Sequence, residues 1–191
     1  MKRMIMGIAA LVMAVAMISC KPAPQAQVEA AQAAIDSARA VEADRYLAVE
    51  FTALNDSLTA AVAAIETISA LPFGERDFAP VRTKLETIAT DATALKANAE
   101  VRKAEVRTQV EGLLVELGNL VTSNKEAIAL VRVTPRNRAT VEGMQNEITV
   151  IESAITEINT LVANGDYLTA LEKATASQVK AVEIQTALAT I

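Results

Sequence analysis

Apolar residues recur along this chain at steps of three and four, the spacing that lines one face of an α-helix, and nowhere settle into the alternation of a half-buried strand. The clearest seam is Leu47, Phe51, Leu54, Leu58, Ala61, Ile65 and Ile68, which predicts a helix over 47–68 with one buried stripe. A second, Val141, Met144, Ile148, Ile151, Ile155, Ile158 and Val162, alternates the two steps without a break. The opposite faces of both carry charge of mixed sign, so the stripes read as bundle core and not as the Lys/Arg-backed face of a helix lying on a membrane.

Between these seams runs a longer candidate over 81–132, its stripe passing through Val81, Leu85, Ile88, Leu95, Val106, Val110, Leu113, Leu117, Leu120, Asn124 and Ile128. Steps of four at Arg102, Val106 and Val110 form a stutter that would locally unwind a supercoil. Unbroken, this helix is about 80 Å long at 1.5 Å per residue. Gly118-Asn119 and the capping-box pattern Ser123-x-x-Glu126 offer a place to break it, and both versions stand at this level. Two thinner, alanine-rich stripes predict helices over 26–43 and 168–188; alanine faces approach neighbours closely but each buries little area.

Three helix starts share a signal: Asp44-Arg45-Tyr46, Asp77-Phe78 and Asp166-Tyr167. In each, an aspartate able to cap free backbone N–H groups precedes an aromatic able to pack back across the turn. Pro80 suits a first helical turn, and Gly165 supplies a permissive residue after a helix end. The recurrence reads as a weak repeat of helical hairpins. The expected fold is all-α: an elongated antiparallel helical bundle in which two three-helix bundles share one long central helix.

The N-terminus follows different rules. Lys2 and Arg3 precede an apolar run from Met4 to Ile18, then Ser19 and Cys20, the layout of a secretory signal. The run is shorter than the roughly 20 residues a membrane-spanning helix needs. Met17-Ile18-Ser19-Cys20 resembles the lipobox of bacterial lipoproteins, with Met17 where leucine is usual. The resemblance implies cleavage before Cys20, a thioether-linked diacylglycerol on its sulfur and an acylated amino group. It also implies, from Lys21 in place of aspartate, retention at the outer membrane facing the periplasm. Lys21-Pro22-Ala23-Pro24-Gln25 reads as a short, stiff spacer, since two prolines push their neighbours toward extended backbone. Residues 1–19 are thus the signal, 20–25 the lipidated tether and 26–191 the helical body.

A looser likeness touches the body itself. Ala33-Ala34-Ile35-Asp36-Ser37-Ala38-Arg39 followed by Arg45-Tyr46, and the Phe-Ala-Pro turn at 78–80, resemble alanine-rich helical lipoproteins grouped in a domain family of unknown function. That family brings a fold with it and no reaction.

Composition then narrows the chemistry. Without the signal, 16 basic residues face 23 acidic ones, a net charge of −7, and Trp is absent, so nucleic acid is an unsuitable partner. Histidine is absent and Cys20 is the only cysteine, which removes Ser-His-Asp and Cys-His nucleophile systems and the usual zinc ligands. No glycine-rich phosphate loop occurs. Glu111 and Glu116 are the kind of carboxylates that act in glycoside cleavage, but carboxylates on amphipathic helices are usually solvated, and sugar-stacking aromatics are scarce. The chain is therefore expected to be no enzyme, with no catalytic residue, metal site or cofactor.

The most suggestive polar cluster is Arg132, Arg136 and Arg138 around Thr134-Pro135. Its structural reading places Arg132 at a helix C-terminus, with Thr134 and Pro135 as cap and first position of the next helix. Its functional reading is an anion-gripping tip for lipopolysaccharide phosphates or peptidoglycan carboxylates. For the whole chain, the leading expectation is a lipid-anchored spacer, scaffold or interaction module of the bacterial envelope, its partners other envelope proteins or peptidoglycan. The alternative is a periplasmic module binding a small apolar ligand or unfolded client, with a cavity lined by Phe51, Leu54 and Leu58.

Overall fold

The structure, a computed structural model, describes residues 22–191. These form six α-helices and one short 3-10 turn, with no strand among the described residues. The chain divides between Ala97 and Asn98 into two compact units, and one continuous helix supplies residues to both.

The first unit contains α1 (Gln25–Ala40), α2 (Ala43–Tyr46), α3 (Ala48–Ser69), a 3-10 turn (Phe73–Glu75) and the beginning of α4 (Ala79–Leu130). Helix α1 turns Ala31, Ile35 and Ala38 inward, a small-residue face that lets its neighbours come close. Two hydrogen bonds fix its direction against α4. Arg82 donates to the Pro22 carbonyl at 2.9 Å, and Lys96 donates to the Ser37 hydroxyl at 3.1 Å. The bonded positions are 15 residues apart along one segment and 14 along the other, so α1 and α4 run parallel. Phe51, Leu58 and Ala61 are the buried positions of the α3 seam, while Leu54, Ile65 and Ile68 are half-buried.

The expected helix over 26–43 stops three residues early. Glu42 adopts left-handed backbone, φ 65°, and the Val41 and Glu42 N–H groups bond to Ala38 and Arg39 carbonyls, closing α1 before the chain turns into α2. A non-glycine residue pays for this conformation. Arg45 meets the Glu42 carboxylate at 2.8 Å across the turn.

Helix α4 is unbroken at Gly118-Asn119, so the longer version of the central helix is the observed one. A mid-helix glycine costs roughly 1 kcal/mol, but Leu117 and Val121 on either side are both buried, and their packing outweighs it. Val121 is buried there, and Leu120, half-buried, packs against the same core. The helix ends at Leu130, two residues short of the expected 132.

The second unit contains the remainder of α4, α5 (Arg138–Ala163) and α6 (Tyr167–Leu188). Its core joins Val110, Leu117, Val121 and Ile128 of α4 to the isoleucine seam of α5 and to Ala170, Ala174, Ala181 and Ile184 of α6. Large side chains on two helices thus meet small ones on the third. The junction of α5 and α6 is a Schellman turn: Gly165 sits at φ 81°, its N–H bonds to the Val162 carbonyl at 3.1 Å, and Asp166 N–H reaches the Leu161 carbonyl at 3.0 Å.

Inside this apolar packing stands one amide. Asn124 is 1% exposed, and its Nδ2 donates to the Ala181 carbonyl on α6 at 2.8 Å. Its Oδ1 is buried with no donor among the described residues.

Candidate functional site

Cys20 and Lys21 lie outside the described residues, of which Pro22 is the first. The described part of the segment read as a short, stiff spacer touches the body at two points. Pro24 is buried, and the Pro22 carbonyl is held by the Arg82 guanidinium. Two prolines limit how the backbone moves between these points, and an arginine one turn into α4 supplies the donor. Helix α1 accordingly starts at Gln25 rather than Ala26, with Val28 N–H bonding to the Pro24 carbonyl. Arg82 and Pro24 carry this arrangement, and neither stands out in the sequence: an arginine on an amphipathic helix looks like any solvated cation until its partner is known.

The three aspartate–aromatic starts prove unequal. At the second, Asp77 Oδ1 accepts from the Ala79 N–H at 3.1 Å and Phe78 is 3% exposed, so cap and packed aromatic are both in place. At the third, Asp166 occupies the cap position of α6 without a side-chain bond to the helix end, and Tyr167 is half-buried. At the first, the cap position belongs to Glu42, and Asp44 falls inside α2; Tyr46 is buried as expected of the aromatic. The aspartate there cannot cap because the left-handed turn at Glu42 starts the helix two residues earlier.

Arg132, Arg136 and Arg138 are all exposed, and no carboxylate lies within ion-pair distance of them among the described residues. The helix boundaries around them differ from expectation. Thr134 does not cap α5. It closes a turn with Asn137, whose Oδ1 accepts from the Thr134 N–H at 2.7 Å and from its hydroxyl at 3.0 Å. The Asn137 amide reaches the Arg132 carbonyl at 3.1 Å, and α5 starts only at Arg138. The Thr134-Asn137 pair satisfies these backbone groups locally, which delays the helix by a turn. The three arginines therefore sit around a hydrogen-bonded turn and at the first helical position.

Glu111 and Glu116 do not form a pair. Five residues apart on one helix, they point in different directions, and Glu111 is engaged by Arg107, whose Nε donates to it at 2.8 Å. That bond, with a smaller contribution from Tyr167, raises the Arg107 pKa further above its ordinary value. No cluster of three or more His, Cys, Asp or Glu side chains able to hold a metal occurs among the described residues.

Shallow grooves mark the second unit. One, of about 320 Å³, lies between α5 and α6 over Val150, Ala154, Ala176 and Ser177, with Glu157 and Lys173 paired across it. Another of about 320 Å³ lies between α4 and α5, where Lys125 and Glu152 pair. The first is floored largely by small residues, the second by Ile128, Ala129 and Ile148. No helix among the described residues is long and apolar enough to cross a membrane.

The chain matches no protein-family model, and neither the curated proteins nor the solved structures include a significant match.

Proposed function

We propose that this protein is a lipid-anchored helical component of the bacterial cell envelope, a scaffold or interaction module held to the membrane through acylated Cys20. The observation that carries the reading is the lone cysteine at the end of a basic and apolar leader, two residues before the chain docks onto a helical body. One acyl chain anchors only marginally, at about 0.8 kcal/mol per buried CH₂, whereas the two or three chains of a processed lipobox cysteine hold stably. The rest of the chain is helices packed on buried seams, and the outward faces of such helices are surfaces that neighbours can bind. Burial of Phe51 and Leu58, each 7% exposed, supports the scaffold reading over a ligand cavity at that place.

Expression of the full chain in a two-membrane bacterium tests the anchor. Wild type is expected in the membrane pellet and extractable by detergent but not by salt. Cys20→Ser is expected to lose both acylation and pelleting, while a pelleting Cys20→Ser protein contradicts the reading.

A further inference from the structure

The loop joining α3 to α4 carries large apolar side chains into solvent. Leu71 is 38% exposed and Phe73 57% exposed, and all five residues from Leu71 to Glu75 are exposed. The loop is nevertheless built to hold a shape. Arg76 Nε donates to the Leu71 carbonyl at 2.9 Å, its guanidinium stands 6.0 Å from the centre of the Phe73 ring, and Glu75 N–H bonds to the Pro72 carbonyl at 2.9 Å. Asp77 and buried Phe78 then clamp the exit into α4. A rigid turn that displays leucine and phenylalanine outward has no role in its own unit's core, and exposed apolar groups held this way mark contact surfaces.

Its position names the contact. Arg82, which holds the Pro22 carbonyl, is three residues into α4 from Ala79, about 4.5 Å along the axis. The loop therefore lies at the same end of the first unit as the entering chain. Cys20 is two residues before Pro22, and two extended residues reach at most about 7 Å. A group carried by Cys20 is therefore tethered by only two residues to this end. The other end, where α3 begins at Ala48, is the length of this 22-residue helix away from Ser69, about 32 Å at 1.5 Å per residue.

We propose that the Leu71-Pro72-Phe73 turn is a second membrane contact, entering the boundary between headgroups and acyl chains of the leaflet that holds the lipid on Cys20. The inference rests on the lipid-anchor reading. Charges at this end are of both signs, with Glu75 and Asp77 beside Arg76, Arg82 and Lys84, so apolar burial and not headgroup charge drives the contact. The Arg76 guanidinium stands over the ring, and a long cationic side chain can keep its charge at headgroup level while the ring beside it enters. Attachment through one residue leaves a body free to swivel. A second contact fixes which surface of the first unit faces the membrane.

Trp is absent from the chain, so single substitutions place one reporter at chosen positions. Phe73→Trp and Leu71→Trp, with Val49→Trp as a control 80% exposed near the start of α3, are purified as the full-length product from bacterial membranes and reconstituted in phosphatidylethanolamine/phosphatidylglycerol vesicles. Flotation and intact mass report the anchor, and tryptophan emission reports the tip. The expected result is a blue shift on vesicle binding and quenching by lipids brominated near the glycerol end for positions 71 and 73, with no change at 49, and no loss of the effect at high salt. Floating, acylated protein whose tryptophan at 71 and 73 behaves as at 49 overturns the membrane contact and leaves the anchor standing. Protein that neither floats nor carries lipid overturns both.

Discussion

At the scale of single residues, Asn124 is the clearest departure from a purely apolar design. Its one bond to the Ala181 carbonyl is worth about 1 kcal/mol, and the buried Oδ1 without a donor costs a comparable amount, so the residue adds little net stability. What it does is discriminate: a bond from α4 to one carbonyl of α6 disfavours sliding of the two helices, since any other register leaves the amide wholly unpaired. Asn124→Asp tests how dry this position is. A buried carboxylate with no cationic partner has its pKa raised, while in the unfolded chain it titrates near ~3.9. Below that value both states are protonated and the variant approaches wild type. Above it the deficit grows, reaching on the order of 3 kcal/mol at neutral pH. Denaturant titrations of both proteins across acid to neutral pH check this, and a deficit independent of pH contradicts the burial.

Among the elements, those set by side-chain periodicity were readable and those set by local hydrogen bonding were not. The α5 seam named from Val141 to Val162 is buried at Val141, Met144, Ile148, Ile151 and Ile158, and Gly165 ends that helix in the left-handed conformation expected of it. Periodicity is legible because burial repeats over many residues and averages out exceptions. Helix starts depend on one or two bonds. Nothing about Glu42 announces left-handed backbone, and Thr134-Pro135 looks like a cap until Asn137 takes the Thr134 N–H and hydroxyl for itself. The docking of Pro22 was equally hidden, because Arg82 lies 60 residues away in the chain. Of the candidate site residues, only Asp77 and Phe78 act together as their motif implied.

The persistence of α4 through Gly118 belongs to the same scale and has a direct test. A Cβ added at Gly118 meets nothing within 4 Å, and the backbone there is ordinary helix. Gly118→Ala therefore removes unfolded-chain entropy without a steric cost, and is expected to stabilise the protein by about 0.5–1 kcal/mol. Thermal or denaturant midpoints measure the change. A destabilised Gly118→Ala protein contradicts a continuous helix at this point.

For the whole molecule, the proposal assigns different jobs to its parts. The lipid on Cys20 supplies attachment, the Arg82 clasp on Pro22 ties the anchor to one end of the first unit, and the Leu71-Phe73 turn at that same end offers a further contact with the bilayer. In that arrangement the outward helix faces and the shallow α4–α5 and α5–α6 grooves remain available to neighbours. All of this depends on the sulfur of one residue. Intact and peptide mass spectrometry of protein recovered from bacterial membranes reads it directly: the account predicts a chain beginning at Cys20 and bearing a diacylglyceryl group with an acylated amino terminus. A chain that keeps residues 1–19, or one that begins at Cys20 with an unmodified thiol, contradicts it.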